Sequence, residues 1–107
     1  MNYDQAKVNE QAERWSAQYP TIPESTAETL SAYVLYGRPM GGFMEAVVSN
    51  DLMSAQGRAD TQNLRAFHDI CRLVYNHVPM GSRGSRAAIN EWIDHGGLAG
   101  LEGKLTP

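Results

Sequence analysis

Apolar residues recur at three- and four-residue spacing along most of this chain, and they rarely alternate with polar ones. The clearest stretch covers residues 61–78, where Leu64, Phe67, Cys71, Val74, Tyr75 and Val78 share one helical face. Arg65, Asp69, Arg72 and Asn76 fall on the opposite side. Ala66, Ile70 and Leu73 widen the apolar arc, which predicts a helix at the centre of the core. Asp60 is a suitable N-cap and Pro79 a stop. Leu64, Phe67, Ile70, Cys71, Val74 and Ile89 are expected to be buried.

The same reading predicts four more helices. One begins after Pro23, where Ser25 and Glu28 have the spacing of a capping box; it carries Leu30, Tyr33, Val34 and Tyr36 and ends at Gly37. Another spans residues 42–56 with Phe43, Ala46, Val47 and Met53 on one side and Gly57 to close it. Asn50 lies on that apolar side as a buried amide in need of partners. Ser85 caps a helix through Ala88, Ile89, Trp92 and Ile93 that Gly96 terminates.

The first eighteen residues form a thinner helix, with Val8, Ala12, Trp15 and Tyr19 on an otherwise polar rod. Residues 1–20 are therefore expected at the periphery, their stripe too narrow for the main core. A partner helix would cover such aromatics, so a two-fold homodimer through Trp15 and Tyr19 is expected. Residues 96–107 (GGLAGLEGKLTP) read as a tail with too many glycines to hold a helix alone. The fold class is all-α: a single domain over residues 1–107, a compact bundle of about five helices joined by short Gly/Pro turns. Pro39-Met40-Gly41 returns 40 residues later as Pro79-Met80-Gly81, with Val34 matching Val74 and Asn50 matching Asn90. Shared turn chemistry accounts for so short a match without a duplication.

At 107 residues and 42% hydrophobic content, the chain is one domain with enough apolar material for a core. No apolar run approaches the roughly 20 residues of a membrane span, and the N-terminal residues lack a signal-peptide pattern. The single cysteine, Cys71, suits a reducing cytoplasm. A net charge of −3 disfavours grip on nucleic-acid phosphates. The expectation is a cytoplasmic protein with no membrane association and no direct nucleic-acid binding.

Candidate chemistry is sparse. His68 and Cys71 stand three apart on one helix, but zinc needs three or four ligands and no second pair exists. Cys71 falls mid-helix on the apolar face, away from the electropositive setting of a catalytic thiolate. No metal, no cofactor and no catalytic residue is assigned, and the chain is read as a non-enzyme. Two glycine turns precede helices: Gly37-Arg38-Pro39-Met40-Gly41-Gly42 and Gly81-Ser82-Arg83-Gly84-Ser85-Arg86. Amides at a helix start with an arginine beside them make a partner- or anion-binding candidate, here Arg38, Gly41, Gly42, Arg83 and Arg86. Seven of the nine basic residues are arginine, the cation suited to forked contacts with carboxylates and phosphates. Arg65 and Asp69 are expected to pair at i,i+4.

Tyr33-Val34, Gly37-Arg38-Pro39, Gly41-Gly42-Phe43, Asn50-Asp51-Leu52, Gly57-Arg58-Ala59-Asp60, Tyr75-Asn76 and Trp92-Ile93 form a pattern over residues 28–97. In that pattern the chain resembles small accessory proteins encoded by bacteriophages and prophages. The resemblance implies a protein that binds and disables a host defence component, CRISPR machinery included, inside an infected or lysogenic bacterium. It carries no catalytic or binding motif to assign to residues. The leading expectation is thus an anti-CRISPR-like inhibitor with a host protein as its target. The alternative is a small protein that sequesters a nucleotide or other anion at its Gly-Arg turns.

Overall fold

The computed structural model describes residues 3–105, with side chains over residues 3–102. Its order is α1 (Gln5–Gln18), α2 (Glu24–Tyr36), α3 (Gly42–Val48), α4 (Leu52–Arg58), α5 (Thr61–Arg65), α6 (Phe67–His77), a 3-10 turn (Met80–Ser82), α7 (Arg86–His95) and α8 (Gly97–Leu105). No strand occurs among the described residues, and none of their helices is long and apolar enough to cross a membrane. The all-α class therefore holds, but the described residues form eight α-helices where about five were expected. Two of the predicted helices are broken, and the tail forms one of its own.

The first break is at Asn50. Residues 42–56 do not run through, because Asn50 adopts a left-handed conformation (φ 67°) and Asp51 starts a new helix by accepting from the Ser54 amide at 3.3 Å. Asn50 is exposed, not the buried amide its position on the stripe implied. Asparagine is among the few residues that tolerate this conformation. Gly57 lies inside α4, which continues to Arg58. The second break is at Ala66, whose backbone (φ −92°, ψ 4°) leaves helical geometry between α5 and α6. It turns Leu64 outward to 52% exposure, against expectation, while Ile70, Val74 and Ile89 are buried as the periodicity requires. Phe67 and Cys71 are only half-buried. The bend also separates Arg65 from Asp69, whose carboxylate instead accepts from the Thr21 hydroxyl at 2.5 Å.

The central helix is α2 rather than the 61–78 segment. It buries Thr26, Ala27, Leu30, Ser31, Tyr33 and Val34, which span one broad face, and packs against both α1 and α8. A buried arc this wide needs more than one covering element. This need explains why the thin stripe of α1 belongs to the core after all: Val8, Trp15 and Tyr19 are 0%, 4% and 5% exposed. The Ser31 hydroxyl donates to the Val8 carbonyl at 2.8 Å, which locks α1 onto α2. The capping box does not form. Pro23 occupies the cap position, and its carbonyl accepts from Thr26 and Ala27 at 3.0 and 3.1 Å, which places Ser25 and Glu28 inside the helix.

Helix ends were better marked. Asp60 accepts from the Asn63 amide at 2.7 Å, Ser85 Oγ accepts from the Ala88 amide at 3.1 Å, and Gly37 and Gly96 end α2 and α7 in left-handed conformations. The glycine-rich tail is helical because it is not alone. Gly97 sits so close to the end of α2 that a Cβ there would lie 2.5 Å from the Gly37 amide nitrogen and 2.6 Å from that of Tyr36. Residues 106–107 of the tail lie outside the described residues. The two Pro-Met-Gly turns differ in shape: the first is extended into α3, and the second begins a 3-10 turn. Asn50 turns the chain while Asn90 lies inside α7.

Candidate functional site

Two buried side chains tie the C-terminal half to α2 and thereby fix the surface above it. Trp92 Nε1 donates to the Tyr33 carbonyl at 3.0 Å, and the Tyr33 hydroxyl donates to the Ser82 carbonyl at 2.7 Å. Burial pushes the Tyr33 phenol well above its ordinary pKa, so it remains a proton donor. The 3-10 turn is thus held from below. Its continuation is held from the side, where the Gly84 amide donates to the Val48 carbonyl at the end of α3 at 2.8 Å. Gly84 has φ 103°, a conformation open to glycine.

These fixtures set Arg83 at the edge of an open cleft of about 340 Å³ between α3, α4 and α6. Val47, Val48, Val74 and Cys71 contribute apolar lining, and Asn50, Leu52, Tyr75, Arg83 and Gly84 complete it. Tyr75 and Leu52 are 73% and 52% exposed. The Arg83 guanidinium lies 5.5 Å from the centre of the Tyr75 ring, and its Nε donates to the Val78 carbonyl at 3.4 Å. Burial pushes the Cys71 thiol up, so at neutral pH it lines the cleft as a protonated, weakly polar group and not as a thiolate nucleophile. His68 is exposed, and among the described residues no three potential ligands gather for a metal ion.

The sequence-derived candidates do not form one site. Arg38 lies with its guanidinium 4.2 Å from the centre of the Tyr3 ring, beside a separate depression lined by Ser25, Glu28 and Pro39. Gly41 precedes α3 in open space, and Gly42 is overlain by Arg58, whose guanidinium nitrogen would stand 2.8 Å from a Cβ there. Arg86 turns away from the Gly81–Ser85 loop to Asp51 at 3.2 Å and Glu45 at 3.6 Å. Backbone and side-chain hydrogen bonds from Ser54, followed by Arg86, hold the Asp51 carboxyl below its usual range. Arg86 is therefore neutralised by two carboxylates and does not reinforce Arg83. Trp15 and Tyr19 are enclosed by the chain's own core, where Asn76 Nδ2 donates to the Tyr19 hydroxyl at 3.4 Å. Their burial removes the premise on which an oligomer interface was assigned to them.

Of the cleft residues, only Arg83 stood among the sequence candidates. Tyr75 and Leu52 were missed, although an arc on residues 61–78 too wide for one core face was a legible sign that some apolar residues must remain outside. No family model, no curated protein and no solved structure matches the chain.

Proposed function

We propose that the chain is a non-catalytic inhibitor of the kind bacteriophages encode, and that it binds a host defence protein through the surface around the Tyr75–Arg83 cleft. The observation that carries the reading is Tyr75 itself: an aromatic ring 73% exposed beside an arginine, over an apolar floor. Exposed tyrosine and arginine around a desolvatable pocket are the residue types that dominate binding energy at protein interfaces. A half-buried, protonated cysteine and the scatter of the carboxylates suit binding better than bond-making. The anion-sequestering alternative loses its strongest support with Arg86, which is occupied by Asp51 and Glu45.

Expression of the chain in bacterial strains that each carry one active defence system, CRISPR included, tests the reading by phage plating. One system should fail in its presence and recover with Tyr75→Ala. If every system keeps its full protection, the inhibitor reading is wrong. Calorimetry against mono-, di- and cyclic nucleotides tests the other reading. Micromolar binding abolished by changing Arg83 and Arg86 would put sequestration in its place.

A further inference from the structure

Charge is unevenly divided along the chain. Residues 1–51 carry seven carboxylates against three cations, whereas residues 52–90, which build α4, α5, α6 and the chain into α7, carry five arginines against two aspartates. Both aspartates are committed elsewhere. Asp60 caps α5, and Asp69 accepts from Thr21. Among the described residues only Arg86 of the five meets a carboxylate, which leaves Arg58, Arg65, Arg72 and Arg83 without one. Of these, Arg83 alone lines the cleft, whereas Arg58 lies against Gly42 and Arg65 beside Pro20 and Thr21.

We infer that the cleft takes an acidic segment of a partner protein, one apolar side chain seated between Leu52 and Tyr75 and a neighbouring carboxylate on Arg83. The apolar part follows from the floor. Val47, Val48 and Val74 offer apolar contact to an aliphatic or aromatic group. The acidic part follows from Arg83. Its Nε is held by the Val78 carbonyl and its plane lies near Tyr75, so the fork is oriented before a ligand arrives. An incoming basic segment would meet Arg83 with no carboxylate among the cleft's lining residues to offset it. This inference rests on the binding reading above and specifies what is bound.

Selection of a displayed library of random twelve-residue peptides against the intact chain tests it directly. Enriched peptides should share one aromatic or large aliphatic residue with Asp or Glu within three positions. The affinity of the best of them should fall at least tenfold on Arg83→Glu and on Leu52→Ser, an exposed position whose change leaves the fold intact by circular dichroism. Exchange of the peptide's carboxylate for lysine should restore binding to Arg83→Glu and weaken it to the native chain, a charge reversal that non-specific adhesion does not produce. No enrichment, enrichment of basic peptides, or competition by free nucleotide would overturn the assignment. So would a dimer at micromolar concentration that Tyr75→Ala abolishes, since the occupant would then be a second copy. Acidic peptides that obey these rules while every defence system stays active would uphold the cleft and remove the inhibitor. Loss of defence that persists in both Arg83→Glu and Leu52→Ser would uphold the inhibitor and remove the cleft.

Discussion

Substitution of Gly97 by alanine tests how closely α8 rides on the end of α2. A Cβ at this position would meet three backbone atoms, the Gly37 nitrogen at 2.5 Å, the Tyr36 nitrogen at 2.6 Å and the Leu35 carbonyl carbon at 2.7 Å. Ordinary contact lies near 3.5–4.0 Å, so each approach is short by about 1 Å, and backbone cannot rotate away as a side chain can. Overpacking of this kind costs roughly 1–3 kcal/mol. The left-handed conformation of Gly97 (φ +71°) adds about 1–2 kcal/mol for an L residue. Together they amount to about 2–5 kcal/mol, against roughly 5–15 kcal/mol for a whole domain. Urea unfolding followed by circular dichroism is the assay: with a slope of about 1–3 kcal/mol per M, the midpoint should fall by at least about 0.7 M. Gly57→Ala is the matched control, because it lies in α4 with nothing within 4 Å of its Cβ, and it should gain up to about 1 kcal/mol. Gly37→Ala closes the same gap from the other side (2.9 Å to the Gly97 nitrogen), so its loss and that of Gly97→Ala should not add. A Gly97→Ala midpoint within about 0.3 M of the native chain, at unchanged slope, would refute the close approach.

Tyr33→Phe should cost about 1–3 kcal/mol in thermal unfolding, because it strips the buried Ser82 carbonyl of its donor and leaves the ring in place. Cys71 should react with iodoacetamide at pH 8 more slowly in the native chain than in urea, since burial raises its thiol pKa and slows access. A native rate equal to the unfolded one would mean that the cleft floor is open water. The depressed Asp51 carboxyl contributes stability that is fully present above the ordinary carboxylate pKa and is lost as pH falls through its lowered value. Acid unfolding of Asp51→Asn should accordingly be less steep below about pH 4, and carboxyl NMR titration should find Asp51 protonating below the ordinary aspartate range.

Helix ends were legible in the sequence because each is decided locally. Asp60 and Ser85 cap, and Gly37 and Gly96 terminate, through atoms within four residues of themselves. The breaks at Asn50 and Ala66 were not, since a periodic apolar stripe says which side a helix would bury and nothing about whether the chain keeps one axis. The N-terminal helix was misjudged for a different reason. The width of its stripe was weighed alone, when its fate depended on α2, whose one broad buried face had room for a narrow cover. The tail followed the same logic. Glycine lowers intrinsic helix propensity, but its missing Cβ at Gly97 is what lets α8 approach α2 closely enough to be stabilised.

The places where the periodicity misled are also the places that open the cleft. If residues 42–56 ran as one helix, Asn50 would stay on the buried stripe. With the chain reversed there, α3 ends at Val48, its last carbonyl is free to accept from Gly84, and Leu52 emerges at the rim. The walls are therefore set by backbone hydrogen bonds and by the Tyr33 and Trp92 anchors beneath, none of which uses Tyr75, Leu52 or the Arg83 fork. Surface positions of this kind change stability by only about 0.5 kcal/mol or less when substituted. A 73% exposed tyrosine and a 52% exposed leucine contribute little to the fold and are accessible to the partner proposed above. Binding and stability should consequently separate at this site. Changes to the rim should abolish recognition in a chain that melts as before, whereas changes to Tyr33 or Gly97 should lose both together.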